Sequence, residues 1–274
     1  MNLIETTIKI GINKPVQVLH VSDTHLTFAD MRDGQRKVSL SEKRKNNFPN
    51  AEKVLDFAKK VAKERELKII HTGDLIDFVS LSNLEKAKEF INETDCFVCA
   101  GNHEFAQYVG EAIEDENYRN QSLPIVQKYF SNNIRMDSRV IDGVNFVALD
   151  NSYYLFDSEQ FEFLNKEIKK NIPIVLLLHN PIYEPNLYKV MMEKSSSAYL
   201  VGVPESLMNT YSPKRFNEQK ADQTTFNVID YIKEQNLIKC IISGHLHFNY
   251  QGMLTSYIPQ ITTSCEDVRL LKFN

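Results

Sequence analysis

The sequence contains no long hydrophobic run, so no membrane-spanning helix is predicted. Such a helix needs about 18 or more consecutive apolar residues, and every apolar stretch here is far shorter. The N-terminal residues Met1 to Glu5 also lack the basic region followed by an apolar run that marks a secretory leader. We therefore expect a cytoplasmic protein with no membrane partner.

Cysteine is scarce as well, with four residues in 274. Cys96, Cys99 and Cys240 lie in apolar, strand-like runs, where a reduced and packed thiol is the expected state. The Cys96-x-x-Cys99 spacing also occurs in redox and zinc sites, but the chain has no second pair of this kind to complete a zinc site. We favour the packing interpretation.

The chain has no excess of positive charge. Its 32 Lys and Arg residues against 36 Asp and Glu residues give a formal net charge of −4, and the isoelectric point is about 6.0. A broad electrostatic contact with nucleic acid is therefore not expected, although a local basic patch is compatible with these counts. We predict no stable nucleic-acid partner.

The sequence has neither an internal repeat nor a low-complexity tract. A length of 274 residues and a hydrophobic content of 42% suffice for one large core. We expect a single domain that spans residues 1–274. The pattern gives no indication of the oligomeric state.

Apolar strands alternate with amphipathic helices along the chain. The strands are predicted at residues 4–12, 16–21, 68–72, 96–100, 134–141, 144–149, 172–178 and 237–243, with further short strands after residue 247. The helices are predicted at residues 50–66, 82–92, 123–130, 158–170 and 224–235, the second of them with a Ser82–Glu85 capping box. This alternation predicts an α/β fold, and the Asp142-Gly143 hairpin adds antiparallel pairing, so mixed sheets are expected.

Two long segments show little regular pattern. Residues 26–48 are too long for a simple connector, and we leave open whether they cover a site or are mobile. For their basic residues, from Arg32 to Lys45, we favour a solvated surface over phosphate contacts. Residues 180–222 are rich in Pro, Tyr and Ser and are predicted to form a lid or a substrate-selecting insertion. Six tyrosines, which could stack on a nucleobase but more simply pack, are Tyr153, Tyr154, Tyr183, Tyr188, Tyr199 and Tyr211.

Five polar clusters follow apolar strands, and together they hold five of the seven histidines. The clusters are Asp23-Thr24-His25, Gly73-Asp74-Leu75-Ile76-Asp77, Gly101-Asn102-His103-Glu104, His179-Asn180-Pro181 and Gly244-His245-Leu246-His247. Because the carboxyl ends of parallel strands meet at one edge of a sheet, we expect these side chains to share one site. The other two histidines, His20 and His71, lie inside strands and are predicted to be hydrogen-bonded core residues.

The spacing and chemistry of these residues favour a metal centre. Asp23 and His25 are two residues apart, as are His245 and His247, and in extended chain this spacing sends both side chains to one side. Imidazole, carboxylate and amide ligands without thiolate suit Mn, Fe, Co, Ni or Zn in a catalytic centre. Two carboxylates and a bridging hydroxide would leave two dications with a formal charge of about +1, which favours an anionic substrate such as a phosphate ester.

The five clusters resemble those of the calcineurin-like metallophosphoesterase superfamily. Its pattern is DxH, GDxxD, GNH followed by Asp or Glu, a lone His and then GHxH, and all five occur in this order between residues 23 and 247. The resemblance implies two mixed β-sheets that pack as a sandwich flanked by helices. It also implies two divalent transition metal ions, with Mn or Fe favoured, and hydrolysis of phosphoesters by a hydroxide that bridges them.

The resemblance carries roles over to individual positions. It implies that the first metal is held by Asp23, His25, Asp74 and His247. The second would be held by Asp74, Asn102, His179 and His245, so that Asp74 bridges the two. His103 would protonate or hydrogen-bond the leaving oxygen, while Asp77 and Glu104 would orient their neighbours rather than ligate. Asp150 and Asn151 end another strand, and we leave open whether they cap it or support the site.

Within the superfamily, the chain resembles the branch that contains the class III cyclic-nucleotide phosphodiesterases. A small or nucleotide-like phosphodiester is therefore the expected substrate, and a phosphomonoesterase is the nearest alternative. Protein Ser/Thr phosphatases carry Arg-Gly where this chain has Phe78-Val79, which disfavours that branch. A nuclease is less favoured because only a short stretch follows His247, and a catalytically silent scaffold because no motif residue is missing.

Overall fold

The computed structural model describes residues 1–274. The strands are β1 (Leu3–Ile8), β2 (Val16–Val21), β3 (Lys68–His71), β4 (Phe97–Val98), β5 (Met136–Ile141), β6 (Val144–Leu149), β7 (Ile174–Leu177), β8 (Ile238–Ser243), β9 (Tyr250–Met253), β10 (Pro259–Thr262) and β11 (Val268–Phe273). The α-helices are α1 (Gln35–Arg44), α2 (Ala51–Arg65), α3 (Leu81–Thr94), α4 (Glu116–Val126), α5 (Ser158–Ile168), α6 (Pro185–Lys194), α7 (Pro213–Gln219) and α8 (Gln223–Glu234). None of these helices combines the length and the apolar character that a membrane crossing requires.

The strands form two mixed sheets. The first has five strands in the order β1-β11-β2-β3-β4, and the second has six in the order β5-β6-β7-β8-β10-β9. The strands β2, β3 and β4 run parallel in the first sheet, as do β6, β7, β8 and β10 in the second. Antiparallel pairs join β11 to β2, β5 to β6 and β9 to β10. The predicted α/β class with mixed sheets is confirmed.

The two sheets pack face to face, and helices cover their outer faces. Successive side chains of a strand point to opposite faces of its sheet. Ile70 of β3 accordingly joins the cluster between the sheets, with Phe146 and Val175 of the second sheet, while Ile69 joins the cluster under α2 and α3. Leu176 of β7 likewise packs under α5 and α8. The predicted sandwich flanked by helices is confirmed.

Local sequence signals account for several elements at the predicted positions. Helix α2 forms where a helix is predicted and buries one apolar stripe, Val54, Leu55, Ala58, Val61 and Ala62. The β5–β6 hairpin turns at Asp142 and Gly143, whose φ angles of 46° and 88° are the left-handed values of a type I′ turn.

Residues 26–48 are helical over part of their length, so the prediction of an irregular loop was wrong there. Helix α1 buries none of its residues, which removes the apolar periodicity that would reveal a helix in the sequence.

The predicted Ser82–Glu85 capping box was also wrong. Ser80 is the N-cap of α3 and accepts a hydrogen bond from Asn83 N (3.0 Å), whereas Ser82 Oγ donates to Asp30 Oδ2 (2.8 Å).

Residues 180–222 are more regular than the sequence suggested. They contain α6 and α7, and proline occupies the first turn of each helix, a placement that favours helix initiation. The segment has a small apolar core of its own, formed by Leu187, Met191, Ala198, Leu200, Val203, Met208 and Tyr211. We call residues 180–222 the α6–α7 segment.

Other differences concern boundaries. Strand β4 is only two residues long, shorter than predicted. Helix α4 begins at Glu116, well before the predicted start, because Asp115 caps it by accepting from Tyr118 N (2.8 Å). Pro259 begins strand β10, which is a position that a strand tolerates.

Candidate metal centre

The structure brings all five polar clusters together at one edge of the sandwich. Three follow the carboxyl ends of β2, β3 and β4 in the first sheet, and two follow β7 and β8 in the second. A cavity of about 320 Å³ lies above them, and its floor includes Asp74, Asn102, His103, His245 and His247. The strands hold the backbone at this edge, so the loops that follow can place side chains with little freedom.

Four side chains form a first group of candidate ligands. Nε2 of His25 lies 3.2 Å from Nε2 of His247 and 3.6 Å from Oδ2 of Asp74. Oδ1 of Asp23 lies 3.4 Å from Nε2 of His247. One atom from each of these residues falls within 4.8 Å of the others, so the four could bind one ion.

A second group converges on His179. Its Nε2 lies 3.1 Å from Asn102 Oδ1, 3.1 Å from His245 Nδ1 and 3.3 Å from Asp74 Oδ2. Asp74 Oδ2 is therefore close to ligand atoms of both groups. This carboxylate is the one that could bridge two ions.

The hydrogen bonds around the site fix which nitrogens can ligate. Nδ1 of His179 lies 2.7 Å from Thr72 O, and a carbonyl only accepts, so this nitrogen carries the proton and Nε2 presents its lone pair to the second group. Nδ1 of His25 lies 3.1 Å from Asp77 Oδ1, a carboxylate paired with Arg44, which leaves Nε2 as the free acceptor. The donor set thus fits two divalent transition metals.

A third cluster, His25, Asp77 and His103, does not suit a metal despite its short distances. Arg44 forms a two-point ion pair with Asp77, through Nε to Oδ2 at 2.6 Å and Nη2 to Oδ1 at 2.8 Å. Nδ1 of His103 donates to Asp77 O at 2.6 Å, so it has no lone pair to offer. Asp77 instead orients two histidines, His25 and His103.

Glu104 contacts backbone rather than candidate ligand atoms. Its Oε2 accepts from Asp74 N (2.8 Å) and Gly101 N (2.6 Å), and its Oε1 accepts from Leu75 N (2.8 Å) and Ile76 N (3.3 Å). One buried carboxylate therefore ties the loop after β3 to the loop after β4. The loops in question carry Asp74 and Asn102.

Burial and neighbouring charge shift the protonation of the site. Burial, together with the positive charge of His103, lowers the pKa of His25 to about 4, which keeps its imidazole neutral. Burial opposes protonation of His103, but the negative charges of Asp74 and Asp77 outweigh it and raise its pKa to about 10. Burial and the charge of Asp74 raise the pKa of Glu104 to about 7.

Five of the candidate ligands have left-handed backbone. The φ angles are 55° for Asp23, 51° for His25, 56° for Asp74, 67° for His245 and 56° for His247. The predicted reason for the two-residue spacing, an extended chain, was therefore wrong. Both members of each pair lie beyond the end of a strand, and the unusual φ turns each side chain into the site.

Two glycines let the loops approach one another. Gly73 has a φ of 95°, and a Cβ there would lie 2.5 Å from Gly101 N and 2.7 Å from His179 Nδ1. A Cβ on Gly244 would overlap Ser22 Oγ and Asp23 Oδ2. Any larger residue at these positions would push the ligand-bearing loops apart.

Sequence reasoning missed several residues that support the ligands. Arg44 was read as a surface charge but reaches Asp77 from α1, and the Phe48 ring stacks on His25 with centroids 3.9 Å apart. Tyr154 OH lies 2.9 Å from Nε2 of His245. No sequence signal separates Arg44 from its basic neighbours, because its partner is distant along the chain.

The structure also shows the surroundings of His20, His71 and Asn151. His20 bonds to Thr72 and Thr263, and His71 to Thr24 and Gly73 N, so both are core histidines as predicted. Asn151 supports the site, since its Oδ1 accepts from His179 N (3.1 Å).

Of the six tyrosines, Tyr154 and Tyr199 line the cavity. Cys96, Cys99 and Cys240 are buried free thiols, which confirms the packing interpretation.

The shared position of Asp74 gives a first test. Asp74→Ala removes the carboxylate near both groups, so we expect the protein to bind fewer metal ions and to lose turnover together. Elemental analysis after loading with Mn²⁺, beside an activity assay, measures both. Glu85→Ala, at an exposed ion pair with Arg32, is the matched control and should retain the wild-type metal content. Two ions bound to an active Asp74→Ala protein would refute the assignment.

The Arg44 ion pair gives a second test. Arg44→Met would leave the fully buried Asp77 without its cation and loosen the bond that orients His25. We expect Mn²⁺ binding weaker by about tenfold or more, the range for residues that support metal ligands. Calorimetric titration with Mn²⁺ measures this. Arg36→Met, which removes an exposed pair with Glu111 and a contact with the Tyr108 ring, should leave the affinity unchanged. Equal affinities for both variants would contradict the role of Arg44.

Comparisons with known proteins found similar solved structures and a matching family model. Among solved structures, the chain resembles a dimetal phosphatase from Danio rerio (12% identity, 91% of this chain and 88% of that chain, TM-score 0.48). It also resembles the GAP50 anchor of the inner membrane complex of Plasmodium (12%, 91% and 71%, 0.45) and the phosphopantetheinyl hydrolase of Mycobacterium tuberculosis (11%, 93% and 92%, 0.43).

These structural similarities are too low to carry any argument about function, and no curated protein matches the chain. The decisive comparison is with a family model. The model for calcineurin-like phosphoesterases matches residues 16–249, which include every polar cluster described above. The chain therefore belongs to the calcineurin-like phosphoesterase family.

Proposed function

We propose that this protein is a phosphodiesterase that acts on small, nucleotide-like phosphodiesters. The observation that carries the proposal is the shape of the site. Next to the cavity above the metal centre lies a second space of about 250 Å³, and the two share Asn102, His103, Glu114 and Arg215. A diester has a substituent on each side of its phosphorus and needs room on both sides, whereas a monoester needs it on one.

The charges around the cavity also favour a diester. Arg215 is the only Lys or Arg residue that lines the cavity, and it is already paired with Glu114. A diester carries one negative charge, which two dications with two carboxylates and a hydroxide, at a net charge of about +1, would balance. A monoester dianion would call for further free cations, and apart from His103, whose raised pKa keeps it protonated, the cavity wall supplies none.

We propose that the two ligand groups hold two divalent ions, with Mn or Fe favoured because imidazole, carboxylate and amide donors suit them. When bound, the ions would supply a water of lowered pKa and would neutralise the phosphate oxygens. Asp23, His25, Asp74 and His247 would hold the first ion, and Asp74, Asn102, His179 and His245 would hold the second.

His103 acts on the leaving group. Its Nδ1 is committed to Asp77 O, and Oδ1 of Asp77 lies 3.3 Å from the same nitrogen, so the ring is held with its other nitrogen on the cavity side. From there it donates a proton to the departing oxygen. Glu104 keeps Asp74 and Asn102 in register through their loops, and Asp77 orients His25 and His103 together.

The two alternative functions differ in whether they require a bound metal. A phosphomonoesterase remains the nearest rival, since it would use the same ligands. A scaffold would need no metal, so metal content separates it from an enzyme. A purified protein that holds no transition metal and gains no activity with Mn²⁺ would support the scaffold.

Relative turnover of two chromogenic esters tests the proposal. With Mn²⁺ present, we expect bis(p-nitrophenyl) phosphate to be hydrolysed with a clearly higher kcat/KM than p-nitrophenyl phosphate. The leaving group is the same in both, so the comparison isolates the ester class. Preference for the monoester would instead identify a phosphatase, and turnover of neither ester across several metals would refute a phosphoesterase activity.

A leaving-group series tests the role of His103. His103→Ala should slow the hydrolysis of alkyl phosphodiesters by about 10²-fold or more, because a poor leaving group needs a proton in the transition state. The loss on bis(p-nitrophenyl) phosphate should be much smaller, since p-nitrophenolate leaves without a proton. An equal loss on both would show that His103 binds phosphate rather than acting as an acid.

A further inference from the structure

The two ring nitrogens of His245 face different partners. Nδ1 lies 3.1 Å from Nε2 of His179, within the second group of candidate ligands. Nε2 lies 2.9 Å from the hydroxyl oxygen of Tyr154. The tyrosine therefore contacts the nitrogen that the second group does not use.

The position of the ring proton of His245 depends on which nitrogen binds an ion. An imidazole ligates only through a nitrogen without a proton, and a neutral ring carries its one proton on the other nitrogen. If Nδ1 binds the second ion, Nε2 carries the proton and donates a hydrogen bond to Tyr154. A hydroxyl oxygen can accept this bond, while its own hydrogen is left for a group in the cavity that Tyr154 lines. The tyrosine thus satisfies the ligating form of His245.

The backbone of Tyr154 has an unusual conformation. Its φ angle is 62°, a left-handed value that is costly for a bulky side chain. The amide of Tyr154 donates to Asn151 O (2.8 Å), and Asn151 Oδ1 accepts from His179 N (3.1 Å). One asparagine therefore ties the turn that carries the tyrosine to the loop that carries another ligand of the second group. Strained backbone that the surrounding structure maintains is typical of functional positions.

Packing also limits how the tyrosine and the histidine can move. The side chain of Tyr154 is fully buried in the apolar cluster under α5 and α8. The ring of Tyr199, from the α6–α7 segment, packs against His245 with ring centroids 5.8 Å apart. The rings of Tyr154 and His245 are separated by the same distance. The hydrogen bond between Tyr154 and His245 is therefore held from both sides.

We propose that Tyr154 is a positioning residue for the second metal ion: its hydroxyl accepts from Nε2 of His245 and so stabilises the form of this histidine that ligates through Nδ1. The inference rests on the proposed two-ion centre and adds to it a residue outside the five polar clusters. Tyr154 acts through His245 alone. The first group of ligands does not include His245, so the binding of the first ion should not depend on the tyrosine.

The variant Tyr154→Phe removes the hydroxyl and keeps the buried ring, so it tests the hydrogen bond. The ligating form of His245 would then have a buried N–H group without a partner, which is costly. Calorimetric titration with Mn²⁺ should show two ions bound to the wild-type protein. In the variant, we expect one ion to bind more weakly by about tenfold or more, the range for residues that support metal ligands, and the other to keep its affinity.

Tyr153→Phe is the matched control. Tyr153 precedes Tyr154 in the same turn and is also buried, but its hydroxyl has no hydrogen-bond partner. The loss of that hydroxyl should leave both affinities at their wild-type values. Activity then separates positioning from direct catalysis. At Mn²⁺ concentrations that fill the weaker site, Tyr154→Phe should hydrolyse bis(p-nitrophenyl) phosphate with the kcat of the wild type.

The ring proton of His245 can also be observed directly. In the Zn²⁺-loaded protein with ¹⁵N-labelled histidine, NMR distinguishes rings protonated at Nε2 from rings protonated at Nδ1. We expect one metal-bound ring that ligates through Nδ1 and is protonated at Nε2. Its Nε2–H resonance should shift in Tyr154→Phe and stay in place in Tyr153→Phe.

Several results would overturn the inference. They are an unchanged Mn²⁺ affinity in Tyr154→Phe, equal weakening of both ions, a lower kcat at saturating Mn²⁺, or the lack of a metal-bound ring protonated at Nε2. If the wild-type protein binds two ions in these experiments, the metal centre stands and only the role of Tyr154 fails. If the wild-type protein binds none, the proposed centre fails and this inference fails with it.

Discussion

The carboxylate of Glu104 sets the geometry on which the rest of the site depends. It accepts from the backbone of both loops that carry Asp74 and Asn102, and no water competes for it because it is fully buried. Asp74 in turn is the one residue close to both ligand groups. A shift of one loop against the other would therefore separate the groups, so a single buried carboxyl group maintains the pairing of two candidate metal positions.

Around this centre, three of the five histidines are each held by a partner that also influences their protonation. Thr72 O fixes His179, Asp77 fixes His25 and His103, and Arg44 keeps Asp77 ionised from a helix that the sequence did not reveal. Such supports matter because an imidazole binds a metal only through a nitrogen without a proton. The backbone also fixes the ligand side chains. Its left-handed conformations at these residues are strained, and the packed sandwich maintains them.

The α6–α7 segment packs around apolar residues of its own. Leu246, Phe248 and Tyr250, which lie outside this segment, pack against its core, and Arg215 and Glu218 of α7 line the space beside the metal centre. The strand ends thus supply the candidate metal ligands, and the α6–α7 segment supplies part of the cavity wall through Met191, Tyr199 and Arg215. Loops on a rigid scaffold can change specificity in this way while the centre stays the same.

Short-range patterns in the sequence determined the strands, most of the helices and the identity of the clustered polar residues. The i, i+4 stripe of α2, the Asp142-Gly143 turn and the polar motifs after apolar runs all act over a few residues, so the chain displays them directly. Only the tertiary structure decided that Arg44 reaches Asp77, that Tyr154 meets His245 and that Glu218 is buried beside Arg215. The physical reason is that such contacts join residues far apart in the chain, and their energy depends on burial, which no local pattern records.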